Sequence, residues 1–347
     1  MTTRPYVIVG AGAIGGTIAH ALARRGHDVT LVDAHEAHVQ AIRDKGLVIR
    51  RVEHERAADD TVTGLRAFTP DEYPDHEPIE TALVAVKSQH TRDAAQWLST
   101  RLSASGYAVS VQNGVNEPVL ADGLGRERVL GAFVNIFADW EEPGVIRYGG
   151  PGALAVGLPD QGVPDGRVLR VARDLRAYGP VTSTANLRGY RWGKRAFGAI
   201  LGLATLVDAP LADVVDRYPD LAFLVASEPT DVAIHEGIVL ESFDAYEPYA
   251  FQSATPEDVR TAAIARLASW LRTQPKDRSG VYRDIAVRRR ATERGLVSDG
   301  YEDLAARHGV SIAFGREVQR RIAAISSGDA AFGWRHLDEL RERPLLA

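Results

Sequence analysis

Cysteine is absent from this 347-residue chain. That excludes a disulfide framework, a thiol nucleophile and any thiolate metal site. Positive charge is not in excess: 41 Lys and Arg stand against 46 Asp and Glu, a net charge of −5. The electrostatic footprint of a nucleic-acid binder is therefore missing. No run of about 18 apolar residues occurs, so no membrane-spanning helix is expected. A core-like strand begins within about five residues of Met1, which leaves no room for a signal peptide. The expectation is a cytoplasmic protein without nucleic-acid or membrane partners. The ten histidines show no His-x-x-x-His or similar spacing, so no metal is expected either. Lysine is scarce. Only Lys45, Lys87, Lys194 and Lys276 supply a titratable amine, a role that arginine cannot fill.

What remains is ordinary for a globular protein, with 45% hydrophobic and 25% charged residues. At roughly 150 residues per domain the length suggests about two domains. Tyr6-Val7-Ile8-Val9 is a short apolar run that reads as a buried parallel strand. A glycine-rich stretch follows, then helical spacing from Thr17 to Arg25, a turn at Gly26, and a second strand, Val29 to Asp33. This is one βαβ unit. Helical spacing also covers Val39–Asp44 and Gln89–Leu102, and strands are expected at Gly46–Arg51, Ala67-Phe68, Ala82–Val86 and Tyr107–Val111. Alternation of this kind argues for a doubly wound α/β domain. Short β-like pieces, including Val145–Tyr148 and Leu154–Gly157, continue to about Val181, and the rest reads as almost wholly helical. The expected domains are residues 1–185 and 186–347. Arg288-Arg289-Arg290 is read as a solvated helix face.

Gly10-x-Gly12-x-x-Gly15 lies between a strand and a helix. In that setting the first glycine permits a tight turn and the second lets the backbone approach a pyrophosphate. The third lets helix and strand pack closely, with Ala13 and Ile14 opening the helix toward the phosphates. A methyltransferase binding S-adenosylmethionine is a rival, although its glycine spacing usually differs. Asp33 stands 18 residues after Gly15, at the end of the second strand. An acid there hydrogen-bonds the adenosine ribose and repels the 2′-phosphate of NADP. Ala34-His35-Glu36 follows, without an arginine, so NAD is favoured over NADP. Lys87 and Asn113 each follow a strand at its C-terminal end, where the ligand crevice of such sheets lies.

Taken together, Ile8 to Gly15, Val86-Lys87, Gln112-Asn113-Gly114, Trp192-Gly193-Lys194, Ser279 to Asp284 and Thr292-Glu293 resemble the ketopantoate reductase family. The resemblance runs from about residue 5 to about residue 325. It implies a Rossmann domain followed by an all-α domain like the C-terminal domain of 6-phosphogluconate dehydrogenase. It also implies interconversion of a small keto acid and its hydroxy acid with a nicotinamide cofactor. Carried over by residue, Lys194 is the general acid or base, Asn113 bridges the cofactor ribose and Lys194, and Lys87 lines the nicotinamide end. Glu293 hydrogen-bonds a second substrate hydroxyl and Ser279 lies near the substrate carboxylate. Arg278 or Arg283 is a candidate for binding that carboxylate bidentately. His90, His235 and Glu236 are further candidates for the pocket. A homodimer through the helical domain is expected by analogy.

Two departures stand out. In pantoate-forming members two asparagines lie four and eight residues beyond the lysine; here those positions are Gly198 and Gly202. Residues four apart share a helix face, so one wall of the substrate pocket loses two amides, unless the glycines serve close helix packing. Asp33 also departs from the NADP-using pattern. Both departures point to a hydroxy acid other than pantoate, branched or polyhydroxylated. An NADPH-dependent 2-dehydropantoate 2-reductase, a related β-hydroxyacid dehydrogenase and a non-catalytic dinucleotide-sensing protein remain the alternatives.

Overall fold

The computed structural model describes residues 5–53, 56–150, 152–160, 162–275, 277–286 and 300–342. Its chain divides into two units, Met1–Leu187 and Arg188–Ala347.

Unit 1 is built on an eight-stranded sheet. Its strands are β1 (Tyr6–Val9), β2 (Val29–Val32), β5 (Arg66–Phe68), β6 (Ile79–Val84), β7 (Leu102–Ser110), β8 (Val129–Val134), β11 (Leu154–Gly157) and β12 (Val181–Thr184). The spatial order is β12-β11-β8-β7-β6-β1-β2-β5. All neighbours are parallel except β8 and β11. The helices are α1 (Ala13–Arg24), α2 (Glu36–Lys45), α3 (Thr91–Ser99), α4 (Glu117–Leu124) and α5 (Gly166–Leu175). Alternate residues of β1 enter different cores. Tyr6 and Ile8 join one that includes Ile18, Leu22 and Val171, whereas Val7 and Val9 join one that includes Ala94, Leu98 and Leu120. Both faces of the sheet are thus covered, which is why its central strands read as unbroken apolar runs.

A second, four-stranded sheet has the order β4-β3-β10-β9, from β3 (Leu47–Glu53), β4 (Arg56–Val62), β9 (Ala138–Glu142) and β10 (Val145–Tyr148). The sequence pattern marks all of β10 but only the start of β3, and it suggests exposed chain between Arg51 and Ala67, where β4 instead pairs with β3. α1 packs closely on this sheet, so closely that a Cβ at Gly16 would lie 2.1 Å from Ile146 Cδ1.

Unit 2 consists of α6 (Leu187–Ala204), α7 (Leu211–Arg217), α8 (Pro219–His235), α9 (Glu257–Arg272), α10 (Gly280–Ala286), α11 (Tyr301–His308), α12 (Ala313–Ser327) and α13 (Arg335–Glu342). α8 touches α7, α9, α11, α12 and α13, and its side chains are accordingly apolar on nearly every face. Its one buried acid, Glu228, accepts hydrogen bonds from the Phe314 and Gly315 amides at 2.8 Å each and so caps α12. Among the described residues no helix is long and apolar enough to cross a membrane, and no group of three or more His, Asp or Glu is placed to hold a metal ion.

Candidate active site

The glycine loop leaves β1 at Gly10, whose φ of +95° only glycine adopts readily. A Cβ there would also lie 2.7 Å from Val86 N. Gly15, on the first turn of α1, is more confined still: a Cβ would stand 1.9 Å from Gly10 O and 2.9 Å from Ala85 Cβ. Gly12 differs from both. It is the N-cap of α1, with no side-chain cap, and a Cβ there would meet nothing within 4 Å. The head of α1 thus presents its first amides, with half-buried Ala13 and Ile14, to open space. That is the form a pyrophosphate requires, and the loop fits a dinucleotide.

Asp33 follows β2 with both carboxylate oxygens engaged by backbone amides. Its Oδ2 accepts a hydrogen bond from Ala11 N at 2.7 Å, and its Oδ1 accepts one from His35 N at 2.9 Å. The carboxylate therefore holds the glycine loop itself. The carbonyl of the same residue, in the next peptide group, is held by His38, which is 1% exposed. His38 Nδ1 accepts from Gly144 N at 2.8 Å, and a backbone amide can only donate. The ring proton must then sit on Nε2, which donates to Ala11 O at 2.9 Å.

Lys87 and Asn113 are exposed, on the turns that follow β6 and β7. What joins these turns is buried Gln112. Its Nε2 donates to Val86 O at 2.9 Å and to Thr91 Oγ1 at 2.7 Å, and its Oε1 accepts from Ser110 Oγ at 3.1 Å. Asn116 Nδ2 in turn donates to Asn113 O at 2.8 Å. The sequence reading named Gln112 without giving it a role; the clue was a polar residue ending a buried strand. Gln112→Leu is expected to cost about 3 kcal/mol, because it strands several buried polar groups. Urea denaturation would measure the loss.

In unit 2 Lys194 lies on α6, partly buried, and burial lowers its amine to a pKa of about 8, against an opposing pull from Asp244. Gly193 in front of it has a structural cause: a Cβ would lie 2.9 Å from Glu241 O. Gly198, one turn on, has none of the described residues within 4 Å of an added Cβ. Gly202 is buried.

Ser279 is also buried. Thr205 Oγ1 gives its proton to Leu201 O at 2.8 Å, so across the 2.8 Å contact between Thr205 and Ser279 it is Ser279 that donates. Ser279 Oγ also accepts from Tyr282 N at 3.0 Å, which caps α10. Its proton is committed, and binding a carboxylate would require the hydroxyl to turn. Arg278 donates to Asp277 Oδ2 at 2.8 Å and to Asp208 Oδ1 at 3.4 Å. Arg283 is partly buried on α10. His90 is exposed, 3.9 Å from Asp93. His235 contacts Asp231 O, and Glu236 accepts from His308 Nε2 at 2.7 Å within a cluster that includes Arg188 and Arg307. Glu293, Thr292 and Arg288–Arg290 lie outside the described residues.

A family profile described as Ketopantoate reductase PanE/ApbA matches residues 6–161. The 2-dehydropantoate 2-reductase of Pyrococcus abyssi is 31% identical over 239 residues, which are 67% of this chain and 74% of that protein. The chain belongs to the ketopantoate reductase family. It is accordingly an oxidoreductase acting on CH–OH groups, served by a nicotinamide dinucleotide. Among solved structures, a PanE/ApbA family ketopantoate reductase from Ralstonia eutropha JMP134 superposes with a TM-score of 0.71 at 26% identity, covering 94% of this chain and 99% of that one. D-mandelate dehydrogenase, solved with NADH and anilino(oxo)acetate, shares the ketopantoate reductase fold with a TM-score of 0.74 at 18% identity, over 94% and 99% of the two chains.

Proposed function

We propose that this family member interconverts a small hydroxy acid and its keto acid, with Lys194 moving the proton. The substrate is branched or polyhydroxylated and is not pantoate. The observation that carries this is Lys194 itself: a partly buried amine whose pKa has fallen to about 8. Near neutral pH such a group exists in both forms, which suits either direction of the reaction. As an ammonium it donates a proton to the carbonyl oxygen of the keto acid. As a neutral amine it accepts the proton of the hydroxyl that is being oxidised. The bound nicotinamide supplies or receives the hydride. The amides at the head of α1 bind its diphosphate, and Lys87 and Asn113 serve its nicotinamide end. Glu293 takes a second substrate hydroxyl. The Asp33 carboxylate beside the loop, with no arginine after it, favours NAD over NADP.

Two open features support a substrate other than pantoate. Gly198 leaves room where pantoate-forming members carry an amide, and Asp33 disfavours a 2′-phosphate. The deciding assay follows absorbance at 340 nm with NADH or NADPH and ketopantoate. Rapid oxidation of NADPH would identify a pantoate enzyme and overturn the substrate reading. No oxidation, in protein that binds NADH, followed by turnover of another hydroxy acid with NAD, is the expected result. Gly198→Asn is expected to raise KM for that acid by about tenfold, through lost room, with Lys194 chemistry intact. Steady-state kinetics would check it.

A further inference from the structure

Beside Lys194, unit 2 carries a turn to which the family pattern assigns no part. Phe243 N donates to Tyr246 O at 3.1 Å, and Tyr246 N donates to Phe243 O at 2.9 Å, closing a two-residue loop of Asp244 and Ala245. Asp244 has φ +49°, the only positive φ outside glycine among the described residues. Such a conformation is disfavoured for most side chains and is kept where the surroundings dictate it. The surroundings here are α6. Phe243 and Tyr246 are buried, and their rings lie 5.9 Å and 5.5 Å from that of Phe197. Tyr246 also stacks on Phe251 at 4.8 Å. Phe197 is three residues beyond Lys194 and so shares its helix face. Gly193, just before Lys194, admits Glu241 O and the Phe243 ring at a distance that any side chain would block. The loop is therefore pressed onto α6 on both sides of Lys194, with Asp244 at its tip.

We propose that Asp244 is a positioning residue for Lys194: its carboxylate holds the ammonium in place and sets the pH range over which Lys194 gives up its proton. This rests on the reading of Lys194 as the proton carrier. Burial drives Lys194 toward the neutral form, and among the described residues Asp244 opposes it. Among the described residues, the charged groups that flank the two in sequence are Arg191 and Arg195 on α6 and Glu241 and Glu247 on the segment that bears the loop. The Arg195 guanidinium lies over the rings of Trp192 and Tyr301, and Glu247 pairs with Arg266 at 2.9 Å.

The scarcity of lysine makes a direct test simple. Protein labelled with 13C in its lysine side chains gives at most four sets of signals, and Lys194→Arg assigns the one in question. Asp244→Asn tolerates a positive φ and removes the charge; Asp244→Gly removes the side chain and leaves the backbone unstrained. In both variants the Lys194 signal is expected to titrate about one pH unit lower than in the wild type. The alkaline fall in the reduction rate should move down with it, with thermal stability little changed. A titration midpoint that stays within about 0.2 units in either folded variant overturns the proposal. A purely structural loop would give that result, with a lower melting temperature. Full activity in Lys194→Met would overturn the reading of Lys194 instead, and the titration would still report whether Asp244 holds the ammonium.

Discussion

Replacing Lys194 by methionine is expected to lower turnover by about 10²–10⁴-fold, the usual contribution of a positioned acid or base. Affinity for NADH should stay near that of the wild type, because the groups proposed to bind the diphosphate are the amides of the glycine loop and not this amine. The split is measurable: NADH fluorescence gives the dissociation constant, and a single-turnover experiment gives the chemical step. Lys194→Arg is the instructive companion. It keeps a cation, yet a guanidinium holds its proton far above neutral pH, so the oxidation rate should recover little. The wild-type pH profile supplies the sign. With a pKa of about 8, reduction, which needs the ammonium, should fall above that pH, and oxidation, which needs the free amine, should fall below it. Wild-type turnover in Lys194→Met would remove the proposed mechanism.

The second large effect comes from the second and third glycines of the motif, which are expected to fail in different ways. Gly15→Ala would place a methyl 1.9 Å from Gly10 O. That backbone cannot yield without moving β1 or α1, and the expected cost is about 3 kcal/mol or more. Cofactor affinity and folding should be lost together. Gly12→Val has no such contact, since the space around an added Cβ is empty to 4 Å. Its melting temperature should stay close to the wild type. The new side chain would stand where the diphosphate must approach, and losing one or two charge-assisted hydrogen bonds of about 2 kcal/mol each corresponds to at least about 30-fold weaker binding. Thermal melts alongside NADH titrations separate the two cases. Equal behaviour of the two variants would mean that the loop does not bind a dinucleotide in this way.

Much of the framework was legible because it depends on patterns that only one structure satisfies. Unbroken apolar runs such as Tyr6–Val9 have no place except a strand covered on both faces, and the glycines between β1 and α1 mark a turn that larger residues cannot make. Element limits were less exact: β6 ends at Val84, and α1 begins at Ala13, inside the motif. β4 was missed because its sequence, Arg-Ala-Ala-Asp-Asp-Thr-Val, is polar and lacks the β-branched alternation of a strand. Its place is set by pairing with β3, a long-range property. Residues whose partners are main-chain atoms were equally hidden. Nothing in the letters around Asp33 says that its carboxylate turns to Ala11 N, or that Ser279 gives its proton to Thr205. Asp244 was invisible for a related reason. A left-handed aspartate leaves no periodic trace, and the aromatic rings that seat its loop come from α6 and from the segment between α8 and α9.

Asp33 grips the Ala11 nitrogen and His38 the Ala11 carbonyl, so the two peptide groups that flank this residue are fixed together. His38 takes its orientation from Gly144, on the turn between β9 and β10, so the nucleotide loop is tuned by chain more than a hundred residues downstream. A chimera that imports β1 through α2 from a relative but keeps the native β9–β10 turn would set a foreign residue at position 38 against this chain's Gly144 amide. A graft of the loop and α2 is therefore expected to need that hairpin as well.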